Sequence, residues 1–138
     1  MKIVSVINPC YNEEDNVNDI YEQVKLVFKN LTNYNYEHIF IDNSSKDKTV
    51  SVLKKIAELD NNVKIIINTR NFGHIRSPYY ALFQAKGDAI ICLSSDLQDP
   101  PYLIADFIKM WEEGYKIVVG VKKQSEEPKV VFILRKIY

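Results

Sequence analysis

The sequence predicts an α/β fold in which a mostly parallel β-sheet carries helices on both faces, giving three layers. Short apolar runs that favour β-strands alternate along the chain with longer segments whose apolar residues recur at helical spacing. Successive parallel strands need a crossover between them, and a helix supplies it. The length of 138 residues and the 46% hydrophobic content predict one globular domain with a substantial core.

The first half of the chain supplies three strands and two helices of this pattern. Apolar residues recur every three or four positions over residues 17–31 and again over residues 50–57, which predicts two amphipathic helices. Ser44 or Ser45 precedes the second helix as a candidate N-cap. The predicted strands of this half are residues 3–7, 38–41 and 63–67.

The second half continues the alternation. A loop over residues 68–78 leads into a helix, and Gly87 is expected to end it in the left-handed conformation that glycine favours. Another helix is expected to begin at Asp99, a capping residue followed by proline, and to end at Gly114. The predicted strands of this half are residues 88–93 and 116–120.

Composition excludes several classes of function. The formal net charge is zero, so no long-range field favours nucleic acid or an anionic surface as a partner. The two cysteines, Cys10 and Cys92, show no metal-binding spacing. No apolar run is long enough to span a bilayer, and the first residues lack the pattern of a signal peptide. The expectation is therefore a soluble, cytoplasmic chain that is not exported.

Polar residues follow three of the predicted strands. They occupy residues 8–14, 42–47 and 94–99, and the carboxyl ends of parallel strands meet at one edge of a sheet, where ligands bind. An aspartate at a strand end can accept a hydrogen bond from a base or a ribose hydroxyl. An aspartate beside a diphosphate can share Mg²⁺ or Mn²⁺ with its oxygens. These loops together predict a nucleoside-diphosphate ligand.

Other nucleotide-binding classes fit poorly. Only four glycines are present, and they form neither G-x-G-x-x-G nor a P-loop. A phosphoacceptor receiver domain needs paired carboxylates after the first strand, where this chain has Asn8-Pro9. A sugar-nucleotide pyrophosphorylase would need a glycine-rich, basic first loop, and residues 9–14 are neither glycine-rich nor basic.

Several ordered motifs resemble those of family-two glycosyltransferases of the GT-A fold, and within them the group of dolichol-phosphate-mannose synthases and bactoprenol glucosyltransferases. The segment V-I-N-P-C-Y-N-E-E resembles the first-strand motif V-I-P-x-Y-N-E-E, and D-L-Q-D-P-P occurs unchanged. The resemblance covers nearly the whole chain. Its segments are residues 6–14, 41–47, 70–73, 85–88, 96–101 and 114–120.

The resemblance implies a Rossmann-like nucleotide-sugar-binding domain over residues 1–121, with residues 122–138 as the start of a truncated acceptor-side region. The implied function is the donor-binding portion of an inverting glycosyltransferase. Such an enzyme moves a hexose from a UDP- or GDP-sugar to an acceptor, with polyprenyl phosphate or a cell-surface glycan as candidates. The implied cofactor is Mg²⁺ or Mn²⁺, and the implied location is the cytoplasm at the inner face of the plasma membrane. Membrane contact is expected only through segments outside this chain or through a partner.

Site residues follow by position from the same resemblance. Asp42 would read the base, while Asp96 and Gln98 would face the metal ion and the diphosphate. Lys122 and Arg135 would lie near the phosphates. The full implied nucleotide-binding set is Pro9, Tyr11, Glu13, Asp42, Asn43, Ser94, Ser95 and Asp96.

Three positions depart from the family pattern and keep a second hypothesis open. Ser94 and Asn43 stand where the family usually has aspartates, and Ser44 stands in place of a glycine. With one carboxylate missing, Ser94 would act on the metal through a water. The departures fit either a weaker cation site or a truncated non-catalytic module that binds nucleotide or assembles as a homo-oligomer through residues 130–134. No carboxylate is identified as the general base that inversion requires.

Overall fold

The computed structural model describes residues 1–121, in which four strands alternate with four helices. Lys122, Arg135 and the apolar run 130–134 therefore lie outside the described residues. In chain order the elements are β1 (Lys2–Cys10), α1 (Val17–Asn30), β2 (Tyr34–Asp42), α2 (Thr49–Leu59), β3 (Val63–Ile67), α3 (Gly73–Leu82), β4 (Ala89–Cys92) and α4 (Leu103–Glu112).

The four strands form one parallel sheet in the order β3-β2-β1-β4. Asp42 pairs in register with Cys10 on one side and with Ile67 on the other, and Ile7 lies opposite Cys92. The carboxyl ends of all four strands therefore meet at one edge. The predicted parallel sheet is confirmed, and this edge carries the loops that the sequence marks as functional.

Helices cover both faces of the sheet, but unequally. Val4, Val6 and Phe40 point to the face covered by α1, α2 and α4, and they belong to the larger buried cluster. On the opposite face Ile7 and Ile39 pack against α3 in a smaller cluster. The three-layer arrangement is confirmed, with α3 the only helix on its face among the described residues.

Two helices begin later than the sequence predicts. The N-cap of α2 is Lys48, not Ser44 or Ser45, and the N-cap of α4 is Tyr102, not Asp99. The serines are used elsewhere: Ser44 has a left-handed φ of 66°, and the hydroxyl of Ser45 accepts a hydrogen bond from the Asn12 N–H in the loop after β1. The polar residues before both helices thus shape the functional edge instead of capping.

Helix α3 begins earlier than predicted and also ends earlier. It starts at Gly73, inside the segment expected to be a loop, and contains Pro78 as an internal residue. Pro78 was expected at the end of the loop, but the helix accepts it as an internal residue at the loss of one backbone hydrogen bond. The helix ends at Leu82, so Gly87 does not form its left-handed C-terminal cap.

The predicted fifth strand is not formed. Residues 116–120 pair with no described strand, although the β-branched run Ile117-Val118-Val119 favours an extended conformation. Strand formation needs a partner's backbone, and here residues of this segment and of β4 line a common cavity of about 980 Å³ without pairing. Within residues 1–121 no helix is long and apolar enough to cross a lipid bilayer.

Candidate functional site

The loops after β1 and β2 are tied together by backbone hydrogen bonds. Asn12, with a left-handed φ of 58°, donates its N–H to the Ser45 hydroxyl over 2.9 Å, and its side-chain Oδ1 accepts from the Lys46 N–H over 2.8 Å. The Asn43 N–H donates to the Cys10 carbonyl over 2.9 Å. Tyr11 lies between these contacts with 46% of its surface exposed. The two loops form one wall of the edge.

Glu13 and Glu14, in the loop after β1, form hydrogen bonds with neighbouring residues of the protein. The Glu13 N–H donates to Thr49 Oγ1 over 2.8 Å, and Glu13 Oε2 accepts from the Asn16 amide over 2.7 Å. Glu14 Oε2 accepts from the Lys48 N–H over 2.7 Å, at the start of α2. A carboxylate at that position is favoured by the helix dipole. Glu13 has a structural contact in this structure, and its place in a nucleotide site stays a prediction.

Asp47 joins the same network. Its Oδ1 accepts from the hydroxyl and the N–H of Thr49, and its Oδ2 accepts from the Glu14 N–H over 3.1 Å. Partial burial alone would raise the pKa of Asp47, but these hydrogen bonds outweigh the desolvation and lower it. The carboxylate is therefore held ionised as a fixed acceptor between the two loops.

Asp42 is the last residue of β2, and its side chain is completely buried at the functional edge. Its Oδ2 accepts from the Ser45 N–H over 3.0 Å. Its Oδ1 has no hydrogen-bond partner among the described residues. A buried acceptor without a donor is costly, so this oxygen is the feature of the edge most in need of a ligand.

Asn43, next to Asp42, holds the segment that leads into α3. Its Nδ2 donates to Asn71 Oδ1 over 2.9 Å and to the Gly73 carbonyl over 3.2 Å. Its Oδ1 accepts from Asn68 Nδ2 over 3.2 Å and from the Phe72 N–H over 2.9 Å. These four bonds use the full capacity of the amide. Contact between Asn43 and a nucleotide stays a prediction, because every bond it makes here is internal.

The loop after β4 is anchored on β1. Ser95 Oγ donates to the Pro9 carbonyl over 2.8 Å, and Asn8 Nδ2 donates to the carbonyls of Leu93 and Ser94 over 3.0 and 3.2 Å. The structure therefore brings Pro9, Ser94 and Ser95 together, as the predicted set requires. The side chain of Ser95 is buried and turned toward β1, so a role of its hydroxyl in nucleotide binding stays a prediction.

Asp96 stands at the turn of this loop, before Leu97, which has a left-handed φ of 60°. Its Oδ1 accepts from the Gln98 N–H over 3.1 Å, and the side chain is exposed. Ser94 Oγ donates to Asp99 Oδ2 over 2.9 Å. A second carboxylate thus lies beside position 94, at a residue that the sequence favours as a helix cap over a metal ligand.

The oxygen donors of this turn fit part of the shell of a hard divalent cation. Asp96 offers a carboxylate and Gln98 an amide oxygen, both types that Mg²⁺ accepts. Within residues 1–121 no group of three or more His, Cys, Asp or Glu side chains could hold a metal ion by itself. The set therefore fits a cation that is brought by a diphosphate and completed by water, and it does not fit a free-metal site.

A buried polar pair behind this loop was missed by the sequence argument. His38 Nε2 lies 2.8 Å from Asn8 Oδ1, and both side chains are fully buried. The signal was available, because a polar residue in the middle of an apolar strand needs a buried partner. The thiol of Cys10 lies nearby, and burial raises its pKa to about 12, which excludes it as a nucleophile near neutral pH.

Comparison with known proteins gives the chain a clear set of relatives. A family model described as "Glycosyl transferase family 2" matches residues 5–136. The glycosyltransferase YkcC of Bacillus subtilis is 40% identical over 122 residues, which are 88% of this chain and 38% of YkcC. An undecaprenyl-phosphate 4-deoxy-4-formamido-L-arabinose transferase of Photorhabdus laumondii is 37% identical, over 92% of this chain and 39% of that protein.

A solved structure shares the fold. The mannosyltransferase PcManGT of Pyrobaculum calidifontis, in complex with GDP-Man and Mn²⁺, superposes with a TM-score of 0.59 and 26% identity. The match covers 77% of this chain and 31% of the mannosyltransferase chain. The chain thus spans about two fifths of the length of the curated relatives described above, at 38% and 39%.

Proposed function

Because the chain belongs to glycosyl transferase family 2, we propose that it is the donor-binding portion of an inverting glycosyltransferase. In this proposal the edge formed by the loops after β1, β2 and β4 binds a UDP- or GDP-hexose with Mg²⁺ or Mn²⁺. Residues 1–121 constitute the donor domain, and residues 122–138 begin the acceptor side. Lys122 and Arg135 are proposed to approach the diphosphate.

The observation that carries the proposal is the buried Oδ1 of Asp42, which has no donor among the described residues. Uracil and guanine both present ring N–H groups, and an ionised carboxylate accepts hydrogen bonds from such donors. The other oxygen of Asp42 is fixed by the Ser45 N–H, so the carboxylate is oriented before a ligand arrives. Tyr11, Pro9 and Glu13 are proposed to line the base and ribose around it.

The diphosphate is proposed to lie over the turn that carries Asp96 and Gln98. A divalent cation held there between the protein and the diphosphate would neutralise the charge that develops on the leaving nucleotide. The chain's own contribution is positional, because Asn8 and Ser95 fasten this turn to β1. Support for a cation comes from the Mn²⁺ in the complex of PcManGT with GDP-Man.

The acceptor is proposed to be a polyprenyl phosphate, with a cell-surface glycan as the alternative. The support is the name of the Photorhabdus relative, an undecaprenyl-phosphate transferase. Such an acceptor is a membrane lipid with a phosphate head group, so the reaction is proposed to occur at the cytoplasmic face of the plasma membrane.

The test is isothermal titration of the 138-residue chain with UDP, UDP-glucose, GDP and GDP-mannose, in Mn²⁺ and again in EDTA. We expect one base to bind in Mn²⁺. Asp42→Asn should weaken binding by roughly 10- to 100-fold, because the amide that faces the base is then a donor, and a hydrogen bond to a charged group is worth about 1.5–3 kcal/mol. Asp96→Asn should remove the dependence on Mn²⁺.

Asp106→Asn is the matched control, since this exposed carboxylate lies on α4, away from the functional edge. It should leave both the affinity and the metal dependence unchanged. Equal losses in Asp42→Asn and Asp106→Asn would contradict the proposed role of Asp42.

A second candidate function is a non-catalytic module that binds nucleotide or assembles with other subunits. The bonds of Asn43 and Ser94 favour it, because both replace aspartates of the family pattern and both side chains engage neighbouring loops. Absence of binding to all four nucleotides, with the chain folded, would support the assembly form of this alternative over a donor site.

A further inference from the structure

Helix α3 has its amphipathic pattern reversed. The side chains that face the sheet are small, with Ser77 and Ala81 buried. The large apolar side chains lie on the opposite side, where Ile75 is 71% exposed, Tyr79 60% and Phe83 68%. A surface helix normally buries its apolar stripe. An exposed stripe of this size indicates a surface that meets another apolar phase or partner.

The exposed residues form one continuous face. Positions 75, 76, 79 and 83 recur at helical spacing, so Ile75, Arg76, Tyr79 and the C-cap residue Phe83 share one side of the helix, here named the α3 outer face. The rings of Tyr79 and Phe83 pack edge to face with centroids 5.1 Å apart. The aromatic side chains are thus arranged as a preformed patch.

The charged side chains of the α3 outer face and of the turn before it are basic. Residues 68–83 contain Arg70 and Arg76 and no aspartate, glutamate or lysine, although the chain as a whole is neutral. Arg70 lies over the ring of Phe72, with 4.8 Å between the guanidinium carbon and the ring centroid. Basic side chains interleaved with tyrosine and phenylalanine are typical of helices that lie in the head-group region of anionic membranes.

We propose that the α3 outer face docks against the surface of an anionic lipid bilayer. Aromatic and aliphatic side chains enter the boundary between head groups and acyl chains, while Arg70 and Arg76 meet the lipid phosphates. A second copy of the same chain is a poorer occupant, because two such faces would bring like charges together. Charge complementarity therefore favours an anionic bilayer over a second copy as the partner of the α3 outer face.

The position of α3 links this surface to the functional edge. The helix begins at Gly73, and the Phe72 N–H donates to Asn43 Oδ1, next to Asp42. A bilayer in contact with the α3 outer face would lie beside the proposed nucleotide site. Access of a lipid-phosphate acceptor to that site rests on the proposed function, whereas the docking itself does not.

The test is co-sedimentation of the chain with vesicles of phosphatidylcholine, alone or mixed with phosphatidylglycerol, at low and high salt and without nucleotide. We expect binding to the anionic vesicles that weakens in high salt. The triple variant Ile75→Ser, Tyr79→Ser, Phe83→Ser should lose affinity for the vesicles by roughly tenfold or more, because it removes the inserted side chains. Arg76→Glu should weaken binding roughly fivefold or more.

The controls are equally exposed residues elsewhere on the surface. Leu26→Ser, Leu59→Ser and Ile117→Ser remove apolar side chains that are also exposed, and Lys54→Glu reverses an exposed charge on α2. These variants should bind like the original chain. Binding contributed by residues 122–138 is common to all variants and cancels in the comparison.

Three results would overturn the proposal. The first is no binding of the original chain to anionic vesicles, and the second is equal weakening in the control variants. The third is a triple variant that keeps vesicle binding but loses self-association in sedimentation equilibrium, which would assign the α3 outer face to contacts between copies. Because no nucleotide is present, none of these results depends on the donor site, so failure of docking and failure of the proposed function are distinguishable.

Discussion

His38 lies in the middle of β2 with its ring fully buried and only one of its two nitrogens hydrogen-bonded among the described residues. Asn8 uses its amide hydrogens on the loop after β4, so its Oδ1 must accept, and His38 Nε2 must carry the proton. Burial disfavours a second proton and lowers the pKa of His38 to about 3, although the charge of Asp60 opposes the shift. The pair therefore contributes a neutral hydrogen bond behind the proposed cation turn.

This burial predicts a loss of stability in mild acid. In the unfolded chain histidine takes up a proton below about pH 6.5, whereas the folded chain does not until about pH 3. Stability is therefore complete above the unfolded pKa and falls by about 1.4 kcal/mol per pH unit below it. Between pH 7 and pH 5, urea denaturation should show that the free energy of unfolding falls by about 2 kcal/mol more for the original chain than for His38→Gln.

His74→Gln is the control for this comparison, because His74 is exposed. That variant should lose as much stability as the original chain. Equal losses for the original chain and His38→Gln would mean that the imidazole is protonated in the folded state.

Ser94 gives a second prediction at the scale of one residue. Its hydroxyl donates to Asp99, so Ser94→Asp places two carboxylates side by side close to Asp96. Like charges at this distance repel, and a divalent cation relieves the repulsion. In the presence of nucleotide, Mn²⁺ should bind the variant roughly tenfold more tightly, about 1.4 kcal/mol, in isothermal titration.

Ser51→Asp, on the exposed side of α2, is the matched control for added charge and should leave Mn²⁺ affinity unchanged. Unchanged Mn²⁺ affinity in Ser94→Asp would show that position 94 does not face the cation.

At the scale of elements, the connection from α3 to β4 is fastened where the strands begin. The Gly87 N–H donates to Ser5 Oγ over 2.9 Å, and Ser5 Oγ in turn donates to Glu37 over 2.6 Å. Glu37 also accepts from the Lys86 N–H and pairs with Lys64. The absence of a side chain at Gly87 allows this approach, which is a packing requirement and not the conformational one that the sequence argument assumed.

Gly87→Ala should therefore be strongly destabilising. A Cβ at this position would lie 2.6 Å from Ser5 Oγ and 2.8 Å from the carbonyl oxygen of Ile3, and neither β1 nor the turn can move freely. Forcing a methyl group into such a space costs typically about 1–3 kcal/mol, and we expect the upper end. Thermal or urea denaturation measures the loss.

Gly120→Ala is the comparison, because its Cβ would meet only the ring of Phe107 at 3.3 Å, and a side chain can adjust. We expect less than about 1 kcal/mol there. Equal effects at the two glycines would contradict the account of Gly87.

Strands and helices were predictable to different degrees. The bounds of β3 match the predicted residues 63–67, whereas β1 and β2 continue at both ends. Asn8, past the predicted end of β1, and Glu37, before the predicted start of β2, are polar residues whose buried partners allow them to lie inside strands. The expected fifth strand failed for a different reason. Its sequence is suited to a strand, but pairing depends on which backbone lies beside it, and local pattern carries no such information.

For the whole molecule, the parallel sheet and the site edge followed from the sequence, while the internal bonds of the edge did not. Apolar strand runs that alternate with helical segments predict a parallel α/β sheet, and a parallel sheet brings Asp42, at the end of β2, and the loop that contains Asp96 to one edge. The internal hydrogen bonds depend on distances between loops. Examples are the bonds of Asn43 to residues 68–73 and the bond of Ser94 to Asp99. The family pattern has a glycine at position 44, where this chain has Ser44. The φ of 66° at this position explains that preference, because glycine adopts a left-handed backbone conformation readily.

The attachment of β4 has a kinetic consequence. This strand has four residues, lies at an edge of the described sheet and pairs only with β1, and the bond from Asn8 to Leu93 spans 85 residues of chain. Short edge strands with distant partners join late in folding and open first in local unfolding. Asp42 lies on β2, which pairs with two strands, so it belongs to the part of the sheet that resists local unfolding longer. Within the described residues, β4 and the loop that carries Asp96 can therefore detach and re-form while β1, β2 and β3 stay paired.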